Sequence, residues 1–151
     1  MADEAFLIAE LSLQGFACSQ ILAILALEAQ RKSSPELVRA MSGLLSGMEC
    51  GQLCGCVSGG CCVLGLYAGR SSADEPESDH LPHMLRAFVG WFDEEYGARY
   101  GAATCAAITE NDASLRLARC PEIVLASFQR LRAILDEHGY DWEGEGVRTA
   151  E

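Results

Sequence analysis

Met48-Glu-Cys-Gly-Gln-Leu-Cys-Gly-Cys-Val-Ser-Gly-Gly-Cys-Cys-Val-Leu-Gly-Leu-Tyr-Ala-Gly-Arg70 holds five of the chain's eight cysteines, Cys50, Cys54, Cys56, Cys61 and Cys62. A glycine-rich turn passes into an apolar run, which predicts a loop opening into a buried helix whose first turn presents sulfur. If Cys54 to Leu66 is helical, steps of about 100° per residue bring Cys54 and Cys61 onto one face, with Cys62 to one side and Cys56 on the far face. Gly55, Gly59, Gly60 and Gly65 each cost about 1 kcal/mol relative to alanine in a helix, so something must offset them. Gly55, Gly59 and Gly60 fall near i, i+4 and i+5. That side-chain-free strip lets either another backbone or a cofactor come close.

Working outward, the 151 residues are expected to form one helical domain, with a core over about residues 3–139 and a polar tail over 140–151. Half the residues are apolar and mean hydropathy is +0.11, which fits central helices buried on most sides. A formal charge of −11 and a pI near 4.6 argue against nucleic acid as a partner, since phosphate calls for a basic face. The N-terminus begins acidic, without the basic and apolar succession of a secretory signal. The longest apolar stretches, Ile21 to Ala29 and Cys61 to Ala68, are too short to span a bilayer. A cytoplasmic location is therefore expected. In a reducing compartment, eight cysteines point to metal binding or thiol redox chemistry and away from a static disulfide frame.

The remaining pattern is helical throughout. Asp3 to Gln14 predicts a helix ended by Gly15, and a second runs from Ala17-Cys18 to Gln30 with Cys18 in its first turn, where free N–H groups favour a thiolate. Ser33-Ser34-Pro35 starts a third, which Gly47 is expected to end. After a polar loop from Ser71 to Asp79, a fifth helix begins near Pro82, with an apolar stripe over Leu81, Leu85, Phe88, Phe92 and Tyr96, and Gly97 to Gly101 is expected to break it. Cys105 marks another helix start. Cys120 precedes Pro121 and a terminal helix that Gly139 stops; Trp142 is placed to pin the tail. No period-two strand and no repeat occurs, so the fold class is all-α, a compact bundle of about six or seven short helices around the Gly/Cys-rich one. Cys18, Cys54, Cys105 and Cys120 all fall at predicted helix starts, whose convergence would make an electropositive pocket suited to thiolates or an anionic cluster.

Sulfur ligands select iron–sulfur clusters, zinc or Cu(I) over hard cations. The pairs Cys50/Cys54 and Cys54/Cys56 are short, but Cys18, Cys105 and Cys120 come singly, a poor match to a zinc ribbon. Haem-attachment and thioredoxin-type motifs are absent. His80, His83 and His138 fit solvated surface better than ligation. Cys61 and Cys62, in an apolar run, fit packing. Cys50 lies outside the helix, accessible as a resolving thiol or an extra ligand.

Gly15-Phe-Ala-Cys18-Ser-Gln, Cys54-Gly-Cys-Val-Ser-Gly59, Gly65-Leu-Tyr-Ala-Gly69, Tyr96-Gly97 before Cys105, and Cys120 before the last helix resemble a family of redox-active bacterial and archaeal proteins. That C_GCAxxG_C_C family is defined by four cysteines and a Cys-Gly-Ala-x-x-Gly motif, with Cys56 standing at the motif's alanine. The resemblance covers about residues 10–135. It implies redox activity, and the family's similarity to the iron–sulfur-binding portion of a multihaem cytochrome implies a cluster. Together with the residues, it leads to a small redox protein holding a two- or four-iron cluster through Cys54 and some of Cys18, Cys105 and Cys120, with Cys56 and Cys50 as further cofactor-binding sulfurs. Its role would be electron transfer or redox sensing with a redox partner protein. A metal-free thiol–disulfide oxidoreductase and a Cu(I) or zinc storage protein are the alternatives, and a symmetric homodimer is compatible with the apolar fraction.

Overall fold

The structure is a computed structural model that describes residues 2–144. Among them every regular element is a helix: α1 (Ala2–Leu13), α2 (Cys18–Ala29), α3 (Pro35–Met41), α4 (Gly55–Ala68), α5 (His80–Phe92), α6 (Cys105–Thr109) and α7 (Ala113–Glu137). The expected all-α bundle around a Gly/Cys-rich helix is what the chain forms. The last residues of the expected tail, 145–151, lie outside the described residues.

Local chemistry accounts for most of the boundaries. Gly15 leaves α1 at φ +94° and Gly139 follows α7 at φ +83°, conformations that glycine adopts without a Cβ penalty. The Ser34 hydroxyl accepts from the Leu37 N–H at 3.4 Å with Pro35 in the first helical position. Three boundaries differ from expectation. The third helix stops at Met41 and a 3₁₀ turn, Ser42–Leu44, so Gly47 instead opens a tight Gly47–Gly51 turn. Ser46, Met48 and Glu49 there take left-handed angles, a cost accepted because the turn must reverse within a few residues. Gly97 remains helical at φ −60°, so α5 continues through Asp93–Gly97 to Tyr100 and ends at Gly101, φ +93°. Here Gly101, at a left-handed angle, ends the element, and Gly97, at helical angles, does not. Finally, α7 begins at Ala113, capped by the Asp112 carboxylate on the Ser114 N–H at 2.8 Å, and runs through Pro121 without stopping.

α4 is the centre of the bundle, packed against α2, α5 and α7. Val57, Leu64 and Tyr67 of α4 join Ile21 and Leu25 of α2, Phe88 and Phe92 of α5, and Leu131 and Leu135 of α7 in one core. Its glycines serve helix packing. A Cβ on Gly59 would lie 2.7 Å from the Ser19 Cα, and one on Gly60 would enter the Phe88 ring. Ser19, fully buried, satisfies its hydroxyl on the Met41 carbonyl at 2.8 Å, and Gln20 donates to the Val38 carbonyl at 3.0 Å, so α2 also carries α3. Trp142 pins the chain after α7 as expected: its ring stacks on Tyr67 with centroids 5.4 Å apart, and the Tyr67 hydroxyl donates to its carbonyl. No helix among the described residues is long and apolar enough to cross a membrane.

This packing distinguishes two glycines of one helix. Gly59→Ala drives a methyl into the α2 backbone, and unfolding titrations should show a net loss of about 1–3 kcal/mol, overpacking outweighing the gain in helix propensity. Gly65→Ala, which meets nothing within 4 Å, should gain up to about 1 kcal/mol. Equal responses at the two positions would contradict the close α2–α4 contact.

Candidate functional site

The approach of α2 to α4 places sulfur from two helix starts side by side. Cys18 opens α2 after Ala17, whose N–H donates to the Gln20 side chain at 3.0 Å and so fixes the first turn. Cys54 is the capping residue of α4, with non-helical angles (φ −56°, ψ 136°), and its sulfur accepts from the Cys56 N–H at 3.4 Å. Backbone bonds hold the approach to that cap: the Cys54 N–H donates to the Ala103 carbonyl at 3.0 Å and the Cys105 N–H to the Gln52 carbonyl at 2.8 Å, around an antiparallel Leu53–Thr104 bridge. The Sγ atoms of Cys18, Cys54 and Cys56 all lie within 4.8 Å of one another. Gly55 makes room for them, since a Cβ there would stand 2.7 Å from the Cys18 sulfur.

Cys56 was expected on the far face, paired off from Cys54 and Cys61. The structure reverses this. Because Cys54 leaves helical geometry as the cap, the helical wheel starts one residue later and the Cys54 side chain folds back over Cys56; Cys61 and Cys62, two turns on, are half-buried and exposed away from the trio. The trio holds one negative charge most readily on Cys18. Thiol hydrogen bonds from Cys54 and then Cys56, with the N–H groups of Ser19 and Cys18, pull its pKa well below the ordinary thiol value against the opposing cost of burial. The same interactions push the Cys54 and Cys56 thiols up, because each donates to the Cys18 sulfur and lies in an apolar shell.

Cys105 and Cys120 adjoin the trio without joining it. Cys105, buried in the first turn of α6, turns its sulfur to the Thr109 hydroxyl at 3.9 Å. Cys120 is not at a helix start, as Pro121 led one to expect, but lies inside α7, because the Asp112 cap starts that helix earlier. Burial raises its thiol to about 11, and the nearby Cys18 and Cys105 sulfurs add to the rise. Convergent helix starts thus apply to Cys18, Cys54 and Cys105 and not to Cys120. Cys50 is exposed on the Gly47–Gly51 turn and stands apart from the gathered sulfurs. Of the histidines, His83 is exposed as expected, whereas His80 and His138 meet each other with Nδ1 atoms 3.0 Å apart.

A cavity of about 450 Å³ reaches Cys18 of the trio, and Cys120 lines it as well. Arg116, one helical turn before Cys120, lines it too and donates to the Ser46 hydroxyl at 3.1 Å. Sequence reading passed over Arg116. Its i, i+4 relation to Cys120 was the available signal, and it carries weight only once both residues are known to share one helix.

The comparisons with curated proteins and with solved structures found no match. Residues 16–134 match the family described as "Putative redox-active protein (C_GCAxxG_C_C)". The order of cysteine, motif, cysteine and cysteine in that description is followed here by Cys18, residues 54–59, Cys105 and Cys120. With the match spanning most of the 151 residues, the chain belongs to this C_GCAxxG_C_C family.

Proposed function

We propose that the redox activity of this chain is carried by the sulfur centre where α2 meets α4, and that the centre binds an iron–sulfur cluster. Cys54 and Cys18 would supply thiolates, with Cys56 beside them and Cys105 and Cys120 completing the set. The observation behind this reading is the gathering itself: sulfurs from separate segments lie within 4.8 Å, and the pattern's other two cysteines adjoin them. The donor set suits the group. Metal–thiolate bonds of about 2.3 Å put sulfurs around one ion about 4 Å apart, inside the observed spread, and a cluster distributes its ligands over several irons, for which the flanking Cys105 and Cys120 are available.

When bound, a cluster supplies one-electron transfer, which suits an electron carrier or a redox sensor. The chain's own part is to exclude water around Cys56, 1% exposed, and to aim the N–H groups of two helix starts at the sulfurs; both set the potential. Anaerobic reconstitution with iron and sulfide should give a coloured protein with bound iron and acid-labile sulfide. Cys18→Ser and Cys54→Ser should lose most of both, while Cys61→Ser and Cys62→Ser keep them. A colourless, iron-free product from the unaltered chain would refute the cluster.

A second reading, metal-free thiol–disulfide exchange, is favoured by the cavity that reaches Cys18, since exchange needs an entry for its partner. In the reduced, metal-free chain, iodoacetamide should modify Cys18 with a midpoint below the ordinary thiol range, while Cys120 on the same cavity wall resists until pH nears about 11. Cys54→Ala removes the leading donor to Cys18 and should move its midpoint up. Coincident midpoints for Cys18 and Cys120 would contradict the shared charge. Stability follows the opposite sign for Cys54 and Cys56: the fold keeps them protonated, so their contribution is complete below an unfolded thiol value of about 8.5 and is lost as pH climbs beyond it.

A further inference from the structure

We infer that the cavity beside Cys18 is a binding site for a small anionic disulfide or thiol, held through Arg116 and exchanged at the Cys18 sulfur. This rests on the exchange reading and names its substrate class. At about 450 Å³ the cavity falls in the range of small-molecule sites. Its walls combine two thiols, Cys18 and Cys120, with apolar surface from residues such as Phe16, Leu45 and Val124.

Charge then selects the ligand. The chain carries a net charge of −11, yet among the described residues Arg116 is the sole charged one lining this cavity. Among the described residues Arg116 pairs with no carboxylate, and one guanidinium nitrogen donates to the Ser46 hydroxyl, which leaves further donors on the same group for an anion. Opposite polarity is available nearby. Pro121 has no N–H to offer the Leu117 carbonyl, so an acceptor is left without its helical donor where Leu117 and Pro121 line the same cavity. The larger depression on the molecule, about 550 Å³, offers neither feature: its lining includes both Glu28 and Lys32 and no cysteine.

The chemistry balances without another reagent. The Cys18 thiolate attacks one sulfur of the bound disulfide, forming a mixed disulfide as the original S–S bond breaks and its electron pair leaves with the first small thiolate. A second thiol of the trio, Cys54 or Cys56, passes its proton to that thiolate and attacks Cys18, releasing the second small thiolate. The protein ends two electrons poorer as an internal disulfide, and the ligand ends as one thiol and one thiolate, which takes its proton from solvent.

Differential alkylation and peptide mass spectrometry of the reduced, chelator-treated full-length chain test this by following loss of the free Cys18 thiol. The probes are glutathione disulfide, which is anionic, and 2-hydroxyethyl disulfide, which is neutral. Arg116→Gln should slow the reaction of Cys18 with glutathione disulfide about tenfold, the value of one charge-assisted contact, while Arg116→Lys retains most of the rate. The neutral probe should respond less than about twofold, and exposed Cys62 in the same molecules should not respond, which separates recognition from misfolding. Equal rates in Arg116→Gln and the unaltered chain, or equal slowing with both probes, would overturn the anion site while leaving exchange at Cys18 standing. Failure of both probes to consume Cys18 would overturn the site and the exchange reading together.

Discussion

The contact on which the molecule depends is the near touching of two helix backbones, α2 at Ser19 and α4 at Gly59. A Cβ at position 59 has no room there, and this approach lets Cys18 at the start of one helix reach Cys54 and Cys56 at the start of the other. Each helical glycine gives up about 1 kcal/mol of backbone preference, and dense packing of the shared core offsets it. Ser19 ties the arrangement to the rest of the fold, because its hydroxyl is satisfied only by the Met41 carbonyl at the end of α3. A shift of α2 would leave the buried Ser19 hydroxyl unpaired as well as separating the sulfurs.

Bringing three thiols into an apolar interior makes one of them acidic at the expense of the other two. Cys18 gains two S–H donors and the N–H groups of a helix start, whereas Cys54 and Cys56 become donors in a place where a second negative charge has nothing to balance it. Such a centre has two ways to change its charge. Binding a metal or cluster displaces the remaining protons, and oxidation joins two sulfurs and removes them. The second is redox chemistry in itself and the first becomes so where the metal changes oxidation state; both use the same three atoms.

Much of this was legible in the residues. Ser34-Pro35, Gly15 and Gly139 mark their helix ends by capping and left-handed angles, and Cys18 and Cys105 sit in first turns as their surroundings imply. The neighbourhood of Cys56 was not legible, because a helical wheel assumes that every residue is helical, and Cys54, as the cap, is not. Cys120 was misplaced for a related reason: proline is read as a helix start, but the Asp112 cap begins the helix earlier and Pro121 is carried inside it. Gly97 was read as a break because glycine weakens helices, yet the chain leaves helical angles only at Gly101. In each case a local preference was outweighed by a neighbour that only the folded chain reveals.

The most direct test of the central claim is disulfide mapping of the reduced, metal-free chain after oxidation with one equivalent of diamide. If α2 and α4 meet as described, the first bond formed links Cys18 to Cys54 or Cys56, in good yield and within single molecules. If Cys18 stays free while the bond appears among Cys50, Cys61 and Cys62, the sulfurs are not gathered and the redox centre described here does not exist.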